Sequence, residues 1–194
     1  MKLLFATQNK NKVEEIKQLI GSQHELITLA DLNYQTELEE SSTLLIENAL
    51  QKANYIYHHF NMNCFSEDTG LEIEELNGAP GAMSARYAGE EKNADENMNK
   101  ILLELKNVTQ RAARFRTVIA LVIDGKEFLY EGFINGTITT EKRGTNGFGY
   151  DPVFQPDGFT KTFAEMSREE KNGISHRAIA FAKMKEFLES EFAE

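Results

Sequence analysis

The apolar positions along the chain fall into a short buried run, then helical stripes, then long β-rich runs. Lys2 to Ala6 (KLLFA) is apolar and bounded by polar residues, the pattern of a buried strand. The polar turn Thr7-Gln8-Asn9-Lys10-Asn11-Lys12 leads into a helix in which Val13, Ile16, Leu19 and Ile20 recur at helical spacing. Glu25 to Leu29 reads as a second strand, so the chain opens β-α-β, a unit that places ligands at the C-terminal ends of its strands. The acidic connection from Asp31 to Ser42 precedes a helix expected from about Leu44 to Phe60, capped by Ser42 or Thr43. Leu45, Ala49, Ala53 and Ile56 form its apolar stripe, with Asn48 and Lys52 one turn apart on a different face. Asn63 to Ser66 reads as a third short strand. It is expected to stop at Glu67-Asp68-Thr69-Gly70, where the chain turns at the glycine.

Leu71 to Leu76 alternates with period two and ends at the turn signal Asn77-Gly78. The small-residue stretch from Gly78 to Gly89 reads either as a second loop lining a site or as a tight linker. Asn93 to Lys106 is an amphipathic helix with Met98, Ile101, Leu102 and Leu105 on one side. Ala113 to Ile123 is β-rich, Asp124-Gly125 predicts a hairpin turn into Phe128–Ile134, and Gly136 to Thr140 continues the sheet. Ser167-x-x-Glu170 matches a capping box, and Ser175 to Phe192 reads as a helix with Ala178, Phe181, Met184, Leu188 and Phe192 inward. The expected fold class is α/β: a mixed β-sheet with flanking helices, forming two lobes around a central cleft.

Composition narrows the picture. With 194 residues the chain is long enough for one sizeable domain or two small lobes. A net charge of −10 argues against a polynucleotide partner, because phosphate neutralisation drives such binding. No apolar run approaches the roughly 20 residues of a membrane span. The single cysteine, Cys64, rules out an intrachain disulfide, and the cytoplasm is the expected compartment.

Candidate chemistry is scattered. Gly144 to Arg177 combines glycines, aromatic rings (Phe148, Tyr150, Phe154), cations (Lys161, Lys171, Arg177) and His176, the mixture expected of a loop holding a flat anionic molecule. The turn after the first strand offers a helix N-terminus and Lys12 to phosphate. Its structural reading is that Thr7 and Asn9 cap a helix and Lys12 is solvated. Asp68 at a strand end, and Glu39 and Glu40 in the acidic connection, are oxygen ligands suited to Mg²⁺. Their structural readings are a turn-initiating aspartate and a solvated loop. No Ser/His/Asp or Cys/His nucleophile arrangement is legible. Water attack on a phosphoryl group needs a metal, a carboxylate and cations, and the sequence holds the carboxylates and cations.

Four stretches together resemble the inosine triphosphate pyrophosphatase family, the dITP/XTP pyrophosphatases, in its bacterial branch: ATQNKNK at 6–12, SEDTGLEIEELNGAPGAMSARYAG at 66–89, GFGYDPVF at 147–154 and EEKNGISHRAIA at 169–180. The resemblance covers essentially the whole length. It implies cleavage between the α- and β-phosphates of ITP, dITP or XTP with Mg²⁺, an elongated mixed sheet, an active cleft between two lobes, and a homodimer. It implies substrate-phosphate contacts at Thr7, Gln8, Asn9, Lys10, Asn11, Lys12 and Lys52, with Lys12 and Asp68 as catalytic groups. It implies metal ligation by Asp68 and by Glu39 or Glu40, a substrate contact at Thr69, base binding by Phe148, Gly149, Tyr150 and Asp151, and further contacts at Lys171, His176 and Arg177. The chain departs from the bacterial pattern Asp-Asp-Ser-Gly at Glu67-Asp68-Thr69-Gly70. The longer Glu67 leaves the role of the first carboxylate open.

Overall fold

The computed structural model describes residues 1–21 and 24–192. Its centre is one mixed sheet of seven strands: β1 (Lys2–Phe5), β2 (Glu25–Thr28), β3 (Cys64–Ile73), β4 (Pro80–Gly81), β5 (Ala112–Ile123), β6 (Lys126–Ile138) and β7 (Phe154–Pro156). They are ordered β2-β1-β3-β5-β6-β7, with β4 paired to β3. The helices are α1 (Lys10–Leu19), α2 (Leu45–Phe60), α3 (Ala94–Glu104), α4 (Arg168–Asn172) and α5 (His176–Glu191). The chain divides into two compact units, and β3, β5, β6 and α5 each contribute residues to both.

The first unit comprises Met1–Asp68, Thr117–Gly132 and the chain from Arg177 onward. β1 pairs in parallel with β2 and with β3, as a β-α-β opening requires. Leu3, Leu4 and Phe5 are fully buried, because a parallel strand between two neighbours has no solvent face. Phe5 stands opposite Phe65 in the register, and their rings stack at 4.5 Å. Leu3, Phe5, Ile16, Phe65, Leu121, Phe181 and Met184 lie in one core. α2 comes close to β3 because its contact residues are small: Cys64 Sγ lies 3.2 Å from the Ala53 carbonyl, and Ser66 Oγ donates to the Ala49 carbonyl.

The second unit comprises Thr69–Arg116 and Phe133–His176. Its separate core gathers Leu71, Ile73, Met98, Ile101, Phe115, Tyr150, Phe154 and Phe163. Asn93 caps α3, accepting from the Asp95 and Glu96 amides, and Ser167 caps α4 in the capping box expected with Glu170.

Four expectations change. β3 does not stop at residue 67 but runs on to Ile73, so Glu67 and Asp68 sit within a strand. Gly70 makes no turn there. A Cβ at Gly70 would stand 2.6 Å from the Gly81 carbonyl oxygen, and β4 packs onto β3 only because none is present. Gly70→Ala is therefore expected to lower stability by about 1–3 kcal/mol, read from the shift in urea midpoint. The cap of α2 is Leu44 without a side-chain bond; Ser42 Oγ instead accepts from the Leu44 amide at 3.0 Å and pairs with Glu47. Phe192, expected inward, is exposed just past α5, while Gly136 to Ile138 continues the sheet as expected, as part of β6. The Asp124-Gly125 hairpin stands as expected, with positive φ at both positions.

Candidate functional site

In the first unit the functional side chains come from four elements. Asn9 caps α1 by accepting from the amides of Asn11 (3.0 Å) and Lys12 (3.3 Å), and Thr7 Oγ1 accepts from the Asn9 amide. Two first-turn amides are thus taken by the protein's own cap, as the structural reading of this turn requires, but that reading's solvated Lys12 is corrected by its burial beside Glu67. Gln8 donates to the carbonyls of Gln35 (3.1 Å) and Thr36 (2.9 Å), tying the turn to the acidic connection. Lys10 and Asn11 are exposed; Lys12 is half-buried, its Nζ 3.8 Å from Glu67 Oε1. One helical turn on, Glu15 is buried and accepts from Arg177 Nη1 at 2.5 Å.

Lys52 projects from α2 into the same region. Its Nζ pairs with Glu40, donates to the Glu67 carbonyl at 2.8 Å and lies 3.8 Å from Asp68 Oδ1. Asn48 donates to Asp68 Oδ2 at 3.0 Å. Asn48 and Lys52 are buried, so the expected separate face of α2 is corrected. Positions 45, 48, 49, 52, 53 and 56 follow one i, i+3, i+4 stripe, and the two polar residues lie inside it. Of the two candidate glutamates, Glu39 is exposed and Glu40 is the one beside Lys52. Glu67 is engaged elsewhere: both its oxygens accept from Arg177 Nε, at 2.8 and 2.9 Å.

The electrostatics follow from this crowding. Burial pushes the Asp68 carboxyl above its ordinary value, against the pull of Lys52 and Lys12. Burial also lowers Lys12, a larger effect than the opposing charge of Glu67. Glu67 is likewise pushed up by burial, but the charges of Arg177 and Lys12 hold it below the usual carboxylate range. Arg177 is held above its ordinary value: burial works to lower it, and Glu67 and Glu15 together prevail.

Glu40 and Asp68 both approach one ammonium, so two carboxylates already converge on a positive charge. That fits a hard cation of the Mg²⁺ type, which takes one or two carboxylates and draws its remaining oxygens from water and phosphate. Among the described residues, no group of three His, Cys, Asp or Glu side chains could hold a metal without such help.

The second unit holds the aromatic loop. Gly147 and Gly149 have positive φ, +74° and +61°, and a Cβ on Gly147 would run into the Asp151 carboxylate. That carboxylate accepts from the Phe148 amide at 2.9 Å and from Lys171 Nζ at 2.6 Å. Lys171 Nζ lies 4.8 Å from the centre of the half-buried Phe148 ring, a cation–π contact. Asp151 and Lys171 thus hold Phe148 between them. Tyr150 is buried in the core with its hydroxyl donating to the Ser84 carbonyl at 2.7 Å, so its side chain supports the loop from below. His176 is buried and stacks on Phe115 at 4.6 Å. Thr69, half-buried, begins this unit's part of β3. In the stretch from Gly78 to Gly89, Ser84 Oγ accepts from the Leu71 amide and donates to the Gly81 carbonyl.

Sequence reasoning named Lys12, Lys52, Glu40 and Asp68, which the structure brings together, and missed Glu15 and Asn48. A signal existed for both. Glu15 follows Lys12 at i+3 on the buried side of α1, and Asn48 lies within the apolar stripe of α2; a charged or amide residue at such a position needs a buried partner.

The fold is shared with solved structures. The Ham1 protein of Staphylococcus aureus aligns with a TM-score of 0.89 at 37% identity, covering 98% of this chain and 100% of that one. A HAM1 protein from Coxiella burnetii aligns with a TM-score of 0.88 at 33% identity, covering 98% and 99%. The Ham1 family model matches residues 3–187, and the chain belongs to the Ham1 family. Among curated relatives, the dITP/XTP pyrophosphatase of Christiangramia forsetii is 51% identical over 188 residues, 97% of this chain and 99% of the relative. That of Porphyromonas gingivalis is 48% identical over 96% and 97%.

Proposed function

We propose that the chain is a nucleoside-triphosphate pyrophosphatase that hydrolyses dITP, XTP and ITP between the α- and β-phosphates. The observation that carries the reading is the convergence of Glu40, Asp68 and Asn48 with Lys52 in the first unit, in a chain about half identical to named dITP/XTP pyrophosphatases. Glu40 and Asp68 would hold Mg²⁺, which when bound supplies positive charge to the phosphates. Asp68 accepts a proton from the attacking water. Lys12 and Lys52 offset charge developing on the phosphates. With two amides of the α1 turn already capped by Asn9, the side chains of that turn carry the phosphate contacts. Thr69 contacts the substrate from its place on β3.

The base falls to the second unit's loop. Phe148 stacks on the purine, with Gly149 allowing close approach, while Asp151 and Lys171 hold the ring in place. His176 and Arg177 donate to the 6-oxo group. An adenine amino group in that place would leave buried donors unpaired, which discriminates strongly. The proposal extends to one catalytic domain over the whole chain, a homodimer, and a cytoplasmic location. Among the described residues, no helix is long and apolar enough to cross a membrane.

Incubation with Mg²⁺ and dITP, XTP, dUTP, dATP or dGTP tests the reading by pyrophosphate release. Release from dITP and XTP is expected to exceed that from dATP by roughly 100-fold or more in kcat/KM. A preference for dUTP would point to a pyrimidine house-cleaning enzyme. Binding without release would point to a nucleotide sensor.

A further inference from the structure

Asn48 lies in the first half of α2, buried, with three partners for its amide. Its Oδ1 accepts from the Ser42 amide at 2.9 Å. Its Nδ2 donates to the Ser42 carbonyl at 3.0 Å and to Asp68 Oδ2 at 3.0 Å. A backbone N–H only donates and a backbone carbonyl only accepts. Ser42 therefore fixes which end of the amide is oxygen and which is nitrogen, and the second N–H of Nδ2 is left aimed at Asp68. Ser42 is itself held, its hydroxyl bonded to Glu47 and accepting from the Leu44 amide. A two-point clamp on one side of the amide thus orients the donor on the other.

We propose that Asn48 is the positioning residue for Asp68. Its donor holds Oδ2, and this fixes the direction of Oδ1, the oxygen 3.8 Å from Lys52 Nζ. A carboxylate with one oxygen pinned cannot swing about its terminal bond, so the lone pairs of the other keep a fixed direction. A neutral amide does this without adding a charge that would compete with Lys12 or Lys52 for phosphate. Aspartate at this position would set a second carboxylate against Asp68. Leucine would fill the space and bond nothing. The bland alternative is that Asn48 only ties the acidic connection to α2 through Ser42.

The kinetic half of the inference rests on the pyrophosphatase reading; the contact itself does not. For Asn48→Leu, kcat with dITP is expected to fall roughly 10- to 100-fold, the usual cost of removing a group that orients a reacting side chain, with KM nearly unchanged. Asn48→Leu combined with Asp68→Asn should turn over no more slowly than Asp68→Asn alone, because both act through one carboxylate. Should Asn48→Leu fail to fold, Asn48→Ser serves in its place, since its hydroxyl is too short to reach Asp68 and it adds no charge beside that carboxylate. An unchanged kcat with only a lowered melting temperature would leave the anchoring role and overturn the proposal, as would losses that multiply in the double variant. The contact is read separately by NMR: the Asn48 side-chain amide protons should exchange slowly in the native chain and faster in Asp68→Ala. No change in that exchange overturns the pairing. If the amide responds but no nucleotide releases pyrophosphate, the activity reading falls and takes the catalytic claim with it, while the pairing remains.

Discussion

Asp68→Asn is expected to abolish pyrophosphate release from dITP, with kcat down by at least about 100-fold, the lower range for loss of a general base. Two properties of Asp68 are lost together. The amide has no useful proton affinity, whereas the carboxylate can take the proton of the attacking water. The amide also removes the negative charge from one of the two carboxylates that converge on Lys52, weakening the site for a divalent cation. The fold should survive. An asparagine side-chain oxygen can still accept from Asn48, and Lys52 keeps Glu40 and the Glu67 carbonyl as partners. The melting temperature should therefore stay within a few degrees of the native value, which corresponds to less than about 1 kcal/mol for a chain of this size. A folded Asp68→Asn protein that retained most of its turnover would remove Asp68 from the mechanism.

How far such a site could be seen in the sequence depends on the range of the interaction that makes it. β1 was legible because a parallel strand buried on both faces must read as an unbroken apolar run, and Leu3 to Ala6 does. The Asp124-Gly125 hairpin and the Ser167/Glu170 capping box were legible because the chemistry of each is complete within four residues. Gly70 misled for a physical reason. Glycine permits both turns and close approach of another backbone, and only the position of Gly81 decides between them. The stripe of α2 is wider than its apolar residues indicate: the spacing of Asn48 and Lys52 places them with Leu45 and Ile56 rather than on a different face. Asp68 on β3 was legible as a candidate metal ligand from its residue type, and its role as proton acceptor came only with the family resemblance. What Glu67 does there was not readable, because its partner Arg177 lies 110 residues further along the chain.

Arg177→Met is expected to be the most destabilising single change at the site, costing about 3–5 kcal/mol, as breaking a buried ion pair by removing one partner does. The guanidinium is fully buried at the start of α5 and bridges two carboxylates, Glu67 through Nε and Glu15 through Nη1. Methionine fills much of the volume and leaves both carboxylates without their main counter-charge, since Lys12 stands 3.8 Å from Glu67 and is itself disfavoured by burial. Such a loss is a large share of the ~5–15 kcal/mol that holds a domain folded. Neutralising the orphans should restore part of it, so Arg177→Met with Glu15→Gln and Glu67→Gln is expected to be more stable than Arg177→Met alone. The pH dependence gives the argument a sign. In the native chain Glu67 is held below the usual carboxylate range, so its contribution is fully present above that range and is lost as pH falls through its lowered value. Without Arg177 the same burial pushes Glu67 upward, and protonation then relieves the variant as pH falls. Urea midpoints of the two proteins should therefore converge on acidification from pH 7 toward pH 4, and a gap that stays constant across that interval would mean that the cost of losing Arg177 is packing rather than charge.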